Sequence, residues 1–246
     1  MEAVPIWLLL VLIGPAMGSF AALLAERLLR GEPVVMARSA CRSCGARLEA
    51  RDLVPLLSYP LLRGRCRHCA AAIPARLWQA EWAGLGLGAL AVALAAGPAE
   101  AVWSALWLWC LLALAMADLQ RFRLPDPLTA ALLVLGLGLA WPDWQAAALG
   151  AAIGAGAFLA LRLGYGAATG REGMGLGDVK LMAGIGAGLG PLALPGVALI
   201  AAGAALLIAG LRAWTRGRRL HRLGRVPFGA YLATAAMAVW ALQRLG

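Results

Sequence analysis

Residues 101–118 read AVWSALWLWCLLALAMAD, an apolar run that ends in a single carboxylate. Further apolar runs lie at 128–140, 146–161 and 192–211. These runs approach or reach the length of about 20 residues that a helix needs to cross a hydrocarbon core of about 30 Å. The chain is 62% hydrophobic and only 14% charged, and its mean hydropathy of +0.79 argues against a soluble fold. The sequence therefore predicts an all-α fold, a polytopic membrane helix bundle.

The basic residues separate the apolar runs into eight predicted transmembrane spans. The spans are 4–25, 77–96, 101–118, 127–141, 144–163, 177–190, 192–211 and 228–242. With the N-terminus outside, all 22 Lys and Arg residues except Arg244 lie in inside connections or at the inner ends of spans. This is the positive-inside distribution of membrane proteins. It predicts that both termini are outside, and it explains the net charge of +10 without a nucleic-acid partner.

The first span is expected to be retained as a membrane helix, although residues 6–17 resemble the apolar part of a signal peptide. A signal peptide begins with basic residues, whereas the first basic residue here is Arg27. We therefore expect a first transmembrane helix at 1–25, a cytoplasmic loop domain at 26–76 and a helix bundle at 77–246. The basic inside loops are also expected to contact lipid headgroups.

The long inside loop carries two C-x-x-C pairs, Cys41 with Cys44 and Cys66 with Cys69, separated by 21 residues. Four thiolates close a tetrahedral shell around one Zn²⁺ and leave no position for a catalytic water, so the spacing predicts a structural zinc site. The loop has few large apolar residues, and metal binding can contribute the folding free energy that a core would otherwise give. Two disulfides are the alternative, which a reducing cytoplasm disfavours. His68 is expected to be a solvated turn residue.

Two aspartates lie at the inner edge of predicted spans. Asp118 ends the third span, which runs inward, and Asp178 begins the sixth, which runs outward. The topology therefore brings both carboxylates to one depth. Ionisable groups at the edge of apolar helices are functional-site candidates, unless they only snorkel to the interface. Asp178 lies in the stretch GMGLGDVK at 173–180, whose glycines permit unusual backbone angles and the close approach of a substrate strand.

Several neighbours of these aspartates carry predictions of their own. The residues predicted to bind substrate are Gly175, Gly177, Lys180 and Glu172. Lys180 is expected either to hold a carboxylate or a peptide carbonyl, or to act as an inside anchor. Asp126 lies between two prolines, a setting that predicts a capping role at the start of the fourth span.

Together these motifs resemble the type IV prepilin leader peptidase family, bifunctional membrane enzymes of pilus and type II secretion systems. In the first half, the similar elements are GPAMGSF at 14–20, Arg27, Arg38-Ser39, Leu57-Ser58-Tyr59, RGRC at 63–66 and Glu81. In the second half, they are Asp118, Leu124-Pro125-Asp126 and EGMGLGDVKL at 172–181. The chain departs from the family at 21–22, where Ala-Ala replaces the usual Leu-Asn.

The resemblance implies a function, which we state here as an expectation. It implies that Asp118 and Asp178 are the catalytic pair of an aspartyl peptidase that cuts the leader after a glycine. The new N-terminus is expected to be methylated with S-adenosylmethionine, at a site that the residues do not reveal. The expected substrates are prepilins or pseudopilins with a basic leader and an apolar helix. The expected location is the bacterial inner membrane, with the active site toward the cytoplasm.

The mechanism expected from two neighbouring carboxylates is a division of labour, in which one stays an acid while the other activates water. Asp178, near a helix N-terminus, is expected to be the ionised base, and Asp118, near a C-terminus, the acid. Three alternatives remain at this point. They are a peptidase without methyltransferase activity, an ion- or proton-coupled transporter with acids near the midplane, and a zinc-ribbon membrane scaffold without catalysis.

Overall fold

The structure is a computed structural model that describes residues 5–34, 38–171, 173–215 and 226–246. Within these ranges the chain is helical, with no β-strand and two isolated β-bridges. The helices are α1 (Ile6–Arg30), α2 (Ser58–Leu61), α3 (Ala75–Leu94), α4 (Pro98–Arg121), α5 (Asp126–Leu139), α6 (Trp144–Thr169), α7 (Leu176–Leu189), α8 (Leu194–Thr215) and α9 (Phe228–Leu245). Two single 3₁₀ turns lie at Ala50–Asp52 and Pro191–Ala193.

The long helices coincide with the predicted spans, and only the one-turn helix α2 was not predicted. Within the described residues, five segments are long and apolar enough to cross a membrane: α1, α3, α4, α6 and the segment Pro191–Thr215, which contains α8. The predicted all-α membrane bundle is therefore confirmed. Crossing by α5, α7 and α9, and the orientation of the bundle, stay predictions.

The chain forms two compact units, Met1–Ala105 and Leu106–Gly246. In the first unit, α1 packs against α3 through small residues. A Cβ atom at Gly18 would lie 1.9 Å from the Ala80 carbonyl oxygen, and one at Gly84 would lie 2.3 Å from the Gly14 carbonyl oxygen. Small residues allow helices to approach closely in lipid, where packing replaces the hydrophobic drive. The loop between α1 and α3 therefore starts and ends on two helices that are held together.

Helix α7 lies at the centre of the second unit and packs against α5, α6 and α9. With 14 residues it is shorter than a membrane span, but eight of those residues are buried. The contact with α6 also depends on glycine, because a Cβ atom at Gly186 would lie 2.1 Å from the Gly150 carbonyl oxygen. Trp107 of α4 and Trp240 of α9 are fully buried in the same unit. This packing encloses the helix that carries Asp178.

Candidate active site and zinc site

Asp118 lies near the end of α4 and is only 5% exposed. Its carboxylate oxygen Oδ2 accepts a hydrogen bond of 2.9 Å from the backbone N–H of Ala230, in the first turn of α9. The first N–H groups of a helix have no partner within that helix, and the N-cap residue of α9, Pro227, offers no side-chain acceptor. A Cβ atom at Gly229 would lie 3.1 Å from the same carboxylate oxygen. The Asp118 carboxylate therefore caps α9, and glycine at 229 leaves room for it.

Asp178 is the third residue of α7 and is half-buried. Its carboxylate is hydrogen-bonded to the backbone of Gly175, the N-cap residue of the same helix. The N-terminus of a helix carries a partial positive charge that attracts anionic groups. Both aspartates thus lie at helix N-termini, Asp178 on its own helix and Asp118 against α9.

Leu124, in the segment between α4 and α5, contacts the starts of both these helices. A Cβ atom at Gly177 of α7 would lie 3.0 Å from Leu124 Cβ, and one at Gly229 of α9 would lie 3.0 Å from Leu124 Cδ1. Asp118 and Asp178 are close enough to act on each other electrostatically. Three helices and one connecting segment therefore bring two carboxylates from distant parts of the sequence to one place.

Lys180 and Asp126 form an ion pair, with Lys180 Nζ 2.6 Å from Asp126 Oδ1. Both side chains are exposed. Of the roles predicted for Lys180, the structure shows that it holds a carboxylate, and that this carboxylate belongs to Asp126. The predicted capping role of Asp126 is wrong, because Pro125 is the N-cap residue of α5 and makes no side-chain capping bond. Asp126 is the first helical residue, and its side chain is directed to Lys180 on α7 instead.

The remaining predictions near Asp178 have different outcomes. Gly175 is exposed at the start of α7, whereas Gly177 is half-buried against Leu124. Glu172 lies outside the described residues. The position of each aspartate at a helix end no longer supports Asp118 as the acid and Asp178 as the base. Helix α4 continues past Asp118 to Arg121, and the N-terminus of α9 faces the Asp118 carboxylate.

The four cysteines of the loop form one cluster in which all Sγ atoms lie within 4.8 Å of one another. Tetrahedral ligation at a Zn–S distance of about 2.3 Å separates neighbouring sulfurs by about 3.8 Å. The Cys41 and Cys69 sulfurs are 3.8 Å apart, whereas a disulfide requires about 2.05 Å. The cluster therefore fits a zinc ion, and Cys41, Cys44, Cys66 and Cys69 are the residues that would hold it. His68 is exposed and is not part of the cluster.

Each cysteine pair is folded into the same kind of turn. In both turns, the N–H of the first cysteine donates a 2.8 Å hydrogen bond to the carbonyl five residues later, from Cys41 to Ala46 and from Cys66 to Ala71. An isolated β-bridge closes each turn, Ala40 with Arg47 and Arg65 with Ala72. The residue after the second cysteine has a left-handed backbone, with φ of +70° at Gly45 and +55° at Ala70. The loop thus repeats one ligand-bearing turn twice.

The thiols of this cluster differ in how easily they ionise. Hydrogen bonds from the backbone of Cys44 and Ser43 lower the pKa of the Cys41 thiol to about 6. The backbone of Ala71 acts in the same direction on Cys69, but desolvation and the other three thiols raise the pKa of that thiol to about 11. Four thiolates this close repel one another, and a divalent cation removes that repulsion because metal ligation requires the deprotonated form.

Comparisons with known proteins agree with this arrangement. A family model for the Bacterial Peptidase A24 N-terminal domain matches residues 12–95, and a model for the Type IV leader peptidase family matches residues 105–210. A Prepilin leader peptidase/N-methyltransferase of Aeromonas hydrophila is 39% identical over 213 residues, which cover 82% of this chain and 70% of that protein. The chain belongs to the type IV leader peptidase family.

Two further relatives have similar printed names. A Prepilin leader peptidase/N-methyltransferase of Burkholderia pseudomallei is 43% identical over 206 residues, which cover 82% of this chain and 66% of that protein. A Type 4 prepilin-like proteins leader peptide-processing enzyme of Escherichia coli is 38% identical over 223 residues, covering 86% of this chain and 78% of that protein. The chain thus spans 66% of the length of the first of these two relatives. No solved structure matches the chain significantly.

The two family matches correspond to the two compact units. The match at 12–95 falls within Met1–Ala105 and contains the cysteine cluster, and the match at 105–210 contains both aspartates. The three-part division predicted at 25 and 76 stays a prediction. Helix α1 continues to Arg30 and α3 begins at Ala75, and the compact units divide the chain after Ala105.

Sequence reasoning missed the start of α9, which lies outside the leader peptidase match at 105–210. Gly229 and Ala230 contact the Asp118 carboxylate, yet neither has a side chain that suggests chemistry. Only the predicted topology could have indicated this contact. The predicted eighth span begins on the same side of the membrane on which the third span ends at Asp118.

The loop is fixed to its surroundings by ion pairs between buried carboxylates and exposed arginines. Glu26 of α1 pairs with Arg42 at 2.5 Å and with Arg76 at 2.9 Å, and the side chain of Glu26 is 9% exposed. Asp52 pairs with Arg67 at 2.8 Å, and the hydrogen bond from Arg67 holds the pKa of the Asp52 carboxyl below its usual range. One carboxylate therefore ties the first cysteine turn to both flanking helices, and a second ties the other turn to the 3₁₀ turn.

Proposed function

We propose that this member of the leader peptidase family is a membrane-embedded aspartyl endopeptidase that removes the leader of type IV prepilins or pseudopilins. The observation that carries the proposal is the pair Asp118 and Asp178, two carboxylates from different helices that lie within electrostatic range in the second unit. The printed names of the relatives support a leader-processing activity. We propose the cytoplasmic face of the bacterial inner membrane as its place of action, from the positive-inside distribution of Lys and Arg.

A transporter is less well supported than a peptidase. A transporter of this kind would place its acids near the middle of the membrane, where broken helices form the ion path. Asp118 is instead three residues from the end of α4, and Asp178 is the third residue of α7. The ends of membrane helices lie near the membrane edge, which is the region that a substrate strand reaches first.

The proposed reaction uses two carboxyl groups in opposite protonation states, because two close carboxylates do not both ionise at low cost. The ionised carboxylate removes a proton from water, the water oxygen bonds to the scissile carbonyl carbon, and the π pair of that carbonyl moves onto its oxygen. The oxygen then restores the C=O bond as the C–N bond breaks, and the protonated carboxyl donates its proton to the leaving nitrogen. One carboxyl has gained a proton and the other has lost one, so the pair is ready for another cycle with the roles exchanged.

The proposed substrate contacts lie on the glycine-rich segment before α7 and at the start of that helix. Gly175 is exposed beside the Asp178 carboxylate, where the absence of a side chain permits a peptide strand to approach. We include the predicted residues Glu172 and Lys180 in the proposed substrate site. The ion pair with Asp126 would position Lys180 there. Gly177 acts through packing, because Leu124 lies against it. The expected substrate has a basic leader followed by an apolar helix.

We also propose that the chain N-methylates the new N-terminal residue with S-adenosylmethionine, as the relatives' names state for those proteins. The lone pair of the amine bonds to the methyl carbon as the bond from that carbon to sulfur breaks. The sulfur keeps the bonding pair and becomes an uncharged thioether, and the positive charge passes to nitrogen. A Zn²⁺ ion in the cysteine cluster would have a structural role, because four cysteines fill its coordination shell.

Mass spectrometry of a prepilin incubated with the purified full chain tests both activities. Loss of the leader mass is expected with the chain alone, and a gain of about one methyl mass on the product is expected once S-adenosylmethionine is added. A prepilin that keeps its leader in the presence of active, zinc-loaded protein would contradict the peptidase proposal. Cleavage without methylation would leave a peptidase that lacks the second activity.

A further inference from the structure

The end of α6 contacts the glycine-rich segment 173–175, which leads into α7 and carries proposed substrate contacts. Helix α6 has 26 residues, which at about 1.5 Å per residue make a length of about 39 Å. This exceeds a hydrocarbon core of about 30 Å, so the helix extends beyond the core. In its last two turns, Arg162 and Tyr165 both contact the segment. These two side chains are three positions apart and therefore share one face of α6.

Arg162 holds the middle residue of the segment. Its guanidinium Nη1 donates a hydrogen bond to the carbonyl oxygen of Met174. A guanidinium is always charged, and a hydrogen bond from a charged donor is stronger than one between neutral groups. Met174 lies between two glycines, and glycine loses more conformational freedom on ordering than any other residue. The bond from Arg162 therefore fixes a peptide group that the neighbouring glycines would otherwise leave free.

The ring of Tyr165 accounts for the glycine at position 173. The backbone at Gly173 is not in the left-handed region, so its conformation is open to residues with a side chain. A Cβ atom there would lie 2.5 Å from Cδ1 and 2.8 Å from Cε1 of Tyr165, far inside the optimum of about 3.5–4.0 Å for two carbon atoms. The Tyr165 side chain is half exposed and is not part of the core. Its ring lies directly against the bare backbone of the segment.

The third residue of the segment is held by α7. Gly175 is the N-cap residue of that helix, and its backbone is hydrogen-bonded to the Asp178 carboxylate. A Cβ atom at Gly175 would lie 3.7 Å from Asp178 Oδ2. The residue beside the proposed catalytic carboxylate thus follows directly after two residues that α6 holds.

We propose that Arg162 and Tyr165 are positioning residues that hold segment 173–175 in the conformation in which a substrate strand binds beside Asp178. The inference rests on the proposed peptidase function. Both side chains act through the segment and have no assigned contact with the reacting atoms. A segment that is ordered before the substrate arrives avoids the ordering cost at the binding step. Where the segment is misplaced in a fraction of the molecules, the apparent affinity falls with the fraction that remains competent. Loss of either contact should therefore weaken substrate binding more than it slows bond cleavage.

Steady-state kinetics of prepilin cleavage by the full chain in lipid nanodiscs test the role of Arg162. Arg162→Met is expected to raise KM about tenfold, the lower end of the cost of losing a hydrogen bond to a charged group, with kcat little changed. Arg162→Lys keeps a charged donor and should recover most of the lost affinity. Arg212→Met, near the end of α8, is the matched control. Arg212 is exposed and makes no side-chain hydrogen bond or ion pair within the described part of the chain, so its substitution should leave KM unchanged.

A double-mutant cycle tests the contact between Tyr165 and Gly173. Tyr165→Ala removes the ring, and Gly173→Ala places a Cβ atom where the ring lies, so each should raise KM by at least about twofold. The double variant should be no worse than the worse single variant, because both changes break one contact and the smaller side chain leaves room for the new methyl group. Tyr165→Phe keeps the ring and should recover most of the affinity. Gly164→Ala is the control, because a Cβ atom there meets nothing within 4 Å.

Hydrogen exchange distinguishes a loosened segment from a misfolded bundle. Exchange in the peptide spanning 173–178 should become faster in Arg162→Met and Tyr165→Ala, while exchange in α9 stays unchanged. Should Arg162→Met lose its fold, the cycle at positions 165 and 173 decides.

Three results would overturn the positioning role while cleavage by the wild type left the peptidase proposal standing. They are an unchanged KM in both Arg162→Met and Tyr165→Ala, an effect confined to kcat, and effects at positions 165 and 173 that add in full. A wild-type chain that leaves prepilin uncut would instead overturn the proposed peptidase, and the positioning role with it.

Discussion

Among the described residues of the loop that carries the four cysteines, 38–74, only Cys66 is buried, whereas α7 buries eight of its 14 residues. The loop is held by four cysteines and by two carboxylates that pair with arginines. Helix α7 is held by close packing of glycines against α5 and α6. The order of the loop therefore relies on its cysteine cluster and on charge, and the order of α7 relies on shape.

The comparison indicates which substitutions should affect the cysteine loop and which should affect the aspartate site. Removing a ligand should disorder the loop and leave the aspartate site intact, because the pair is built entirely from second-unit residues. Adding or removing a few atoms at a helix start should change the aspartates and leave the metal content unaltered. Metal content and the rate of cleavage therefore distinguish a change in the loop from a change at the aspartates. We take the expected effects from the largest to the smallest.

Cys44→Ser is expected to reduce zinc from about one ion per chain to a small fraction of that value. Structural zinc sites of this kind carry apparent binding free energies of about 10–16 kcal/mol, so the loss of one ligand should disorder the loop. Elemental analysis measures the metal, and hydrogen exchange at the Cys41 and Cys66 amides reports the two turns. Cys110→Ser is the matched control, because Cys110 lies outside the cluster, and it should keep its zinc. Equal metal content in the two variants would show that the cluster is not the site.

Asp118→Asn and Asp178→Asn are each expected to lower the rate of leader cleavage by about 10²–10⁴-fold, the usual contribution of a positioned acid or base. Zinc content should stay normal in both, because the aspartates belong to the other unit. Cleavage is measured by mass spectrometry of the prepilin in membranes with matched expression. Asp126→Asn, which removes an exposed carboxylate paired with Lys180, should reduce cleavage far less. Full cleavage by either of the first two variants would refute the catalytic pair.

Gly229→Ala is expected to slow cleavage measurably but well below the roughly 100-fold cost of a displacement of about 1 Å at a catalytic group, because contacts of 3.0–3.1 Å require a smaller shift. The added Cβ would lie 3.1 Å from Asp118 Oδ2 and 3.0 Å from Leu124 Cδ1, so the carboxylate or the helix must shift. Gly203→Ala in α8 is the control, because a Cβ atom there meets nothing within 4 Å. Equal rates in the two variants would mean that the contact with α9 does not position Asp118.

Ala70→Gly is expected to stabilise the second cysteine turn by about 0.5 kcal/mol, the smallest effect of the series. Ala70 has a left-handed backbone with φ of +55°, which costs a residue with a Cβ about 1 kcal/mol or more, and the greater freedom of glycine in the unfolded chain offsets part of the gain. Gly45→Ala is the mirror change at the equivalent position of the first turn and should weaken zinc retention. Competition with a chelator measures both, and a shift of the same sign for the two variants would contradict the equivalence of the turns.

Much of the fold and the cysteine cluster could be predicted from the sequence, because apolar length and ligand spacing are local properties. The run at 101–118 predicted α4, and the two C-x-x-C pairs predicted the cluster that the structure brings together. The partner of Lys180 could not be predicted in this way, because α5 presents Asp126 to α7 only after both helices have packed. The contact of Ala230 with Asp118 could not be predicted either, because it forms only after α9 has packed and uses a backbone N–H that any residue except proline provides.

The hydrogen bond from Ala230 to Asp118 joins residues that are 112 positions apart, and this has a consequence for the time at which activity begins. A nascent chain that has emerged only as far as α8 already contains both aspartates, but the amide that fixes the first of them has not yet been synthesised. We therefore expect the growing polypeptide to lack a fixed Asp118 carboxylate until α9 has joined the bundle. Assembly of the aspartate site would then wait for the synthesis of residues well beyond both aspartates.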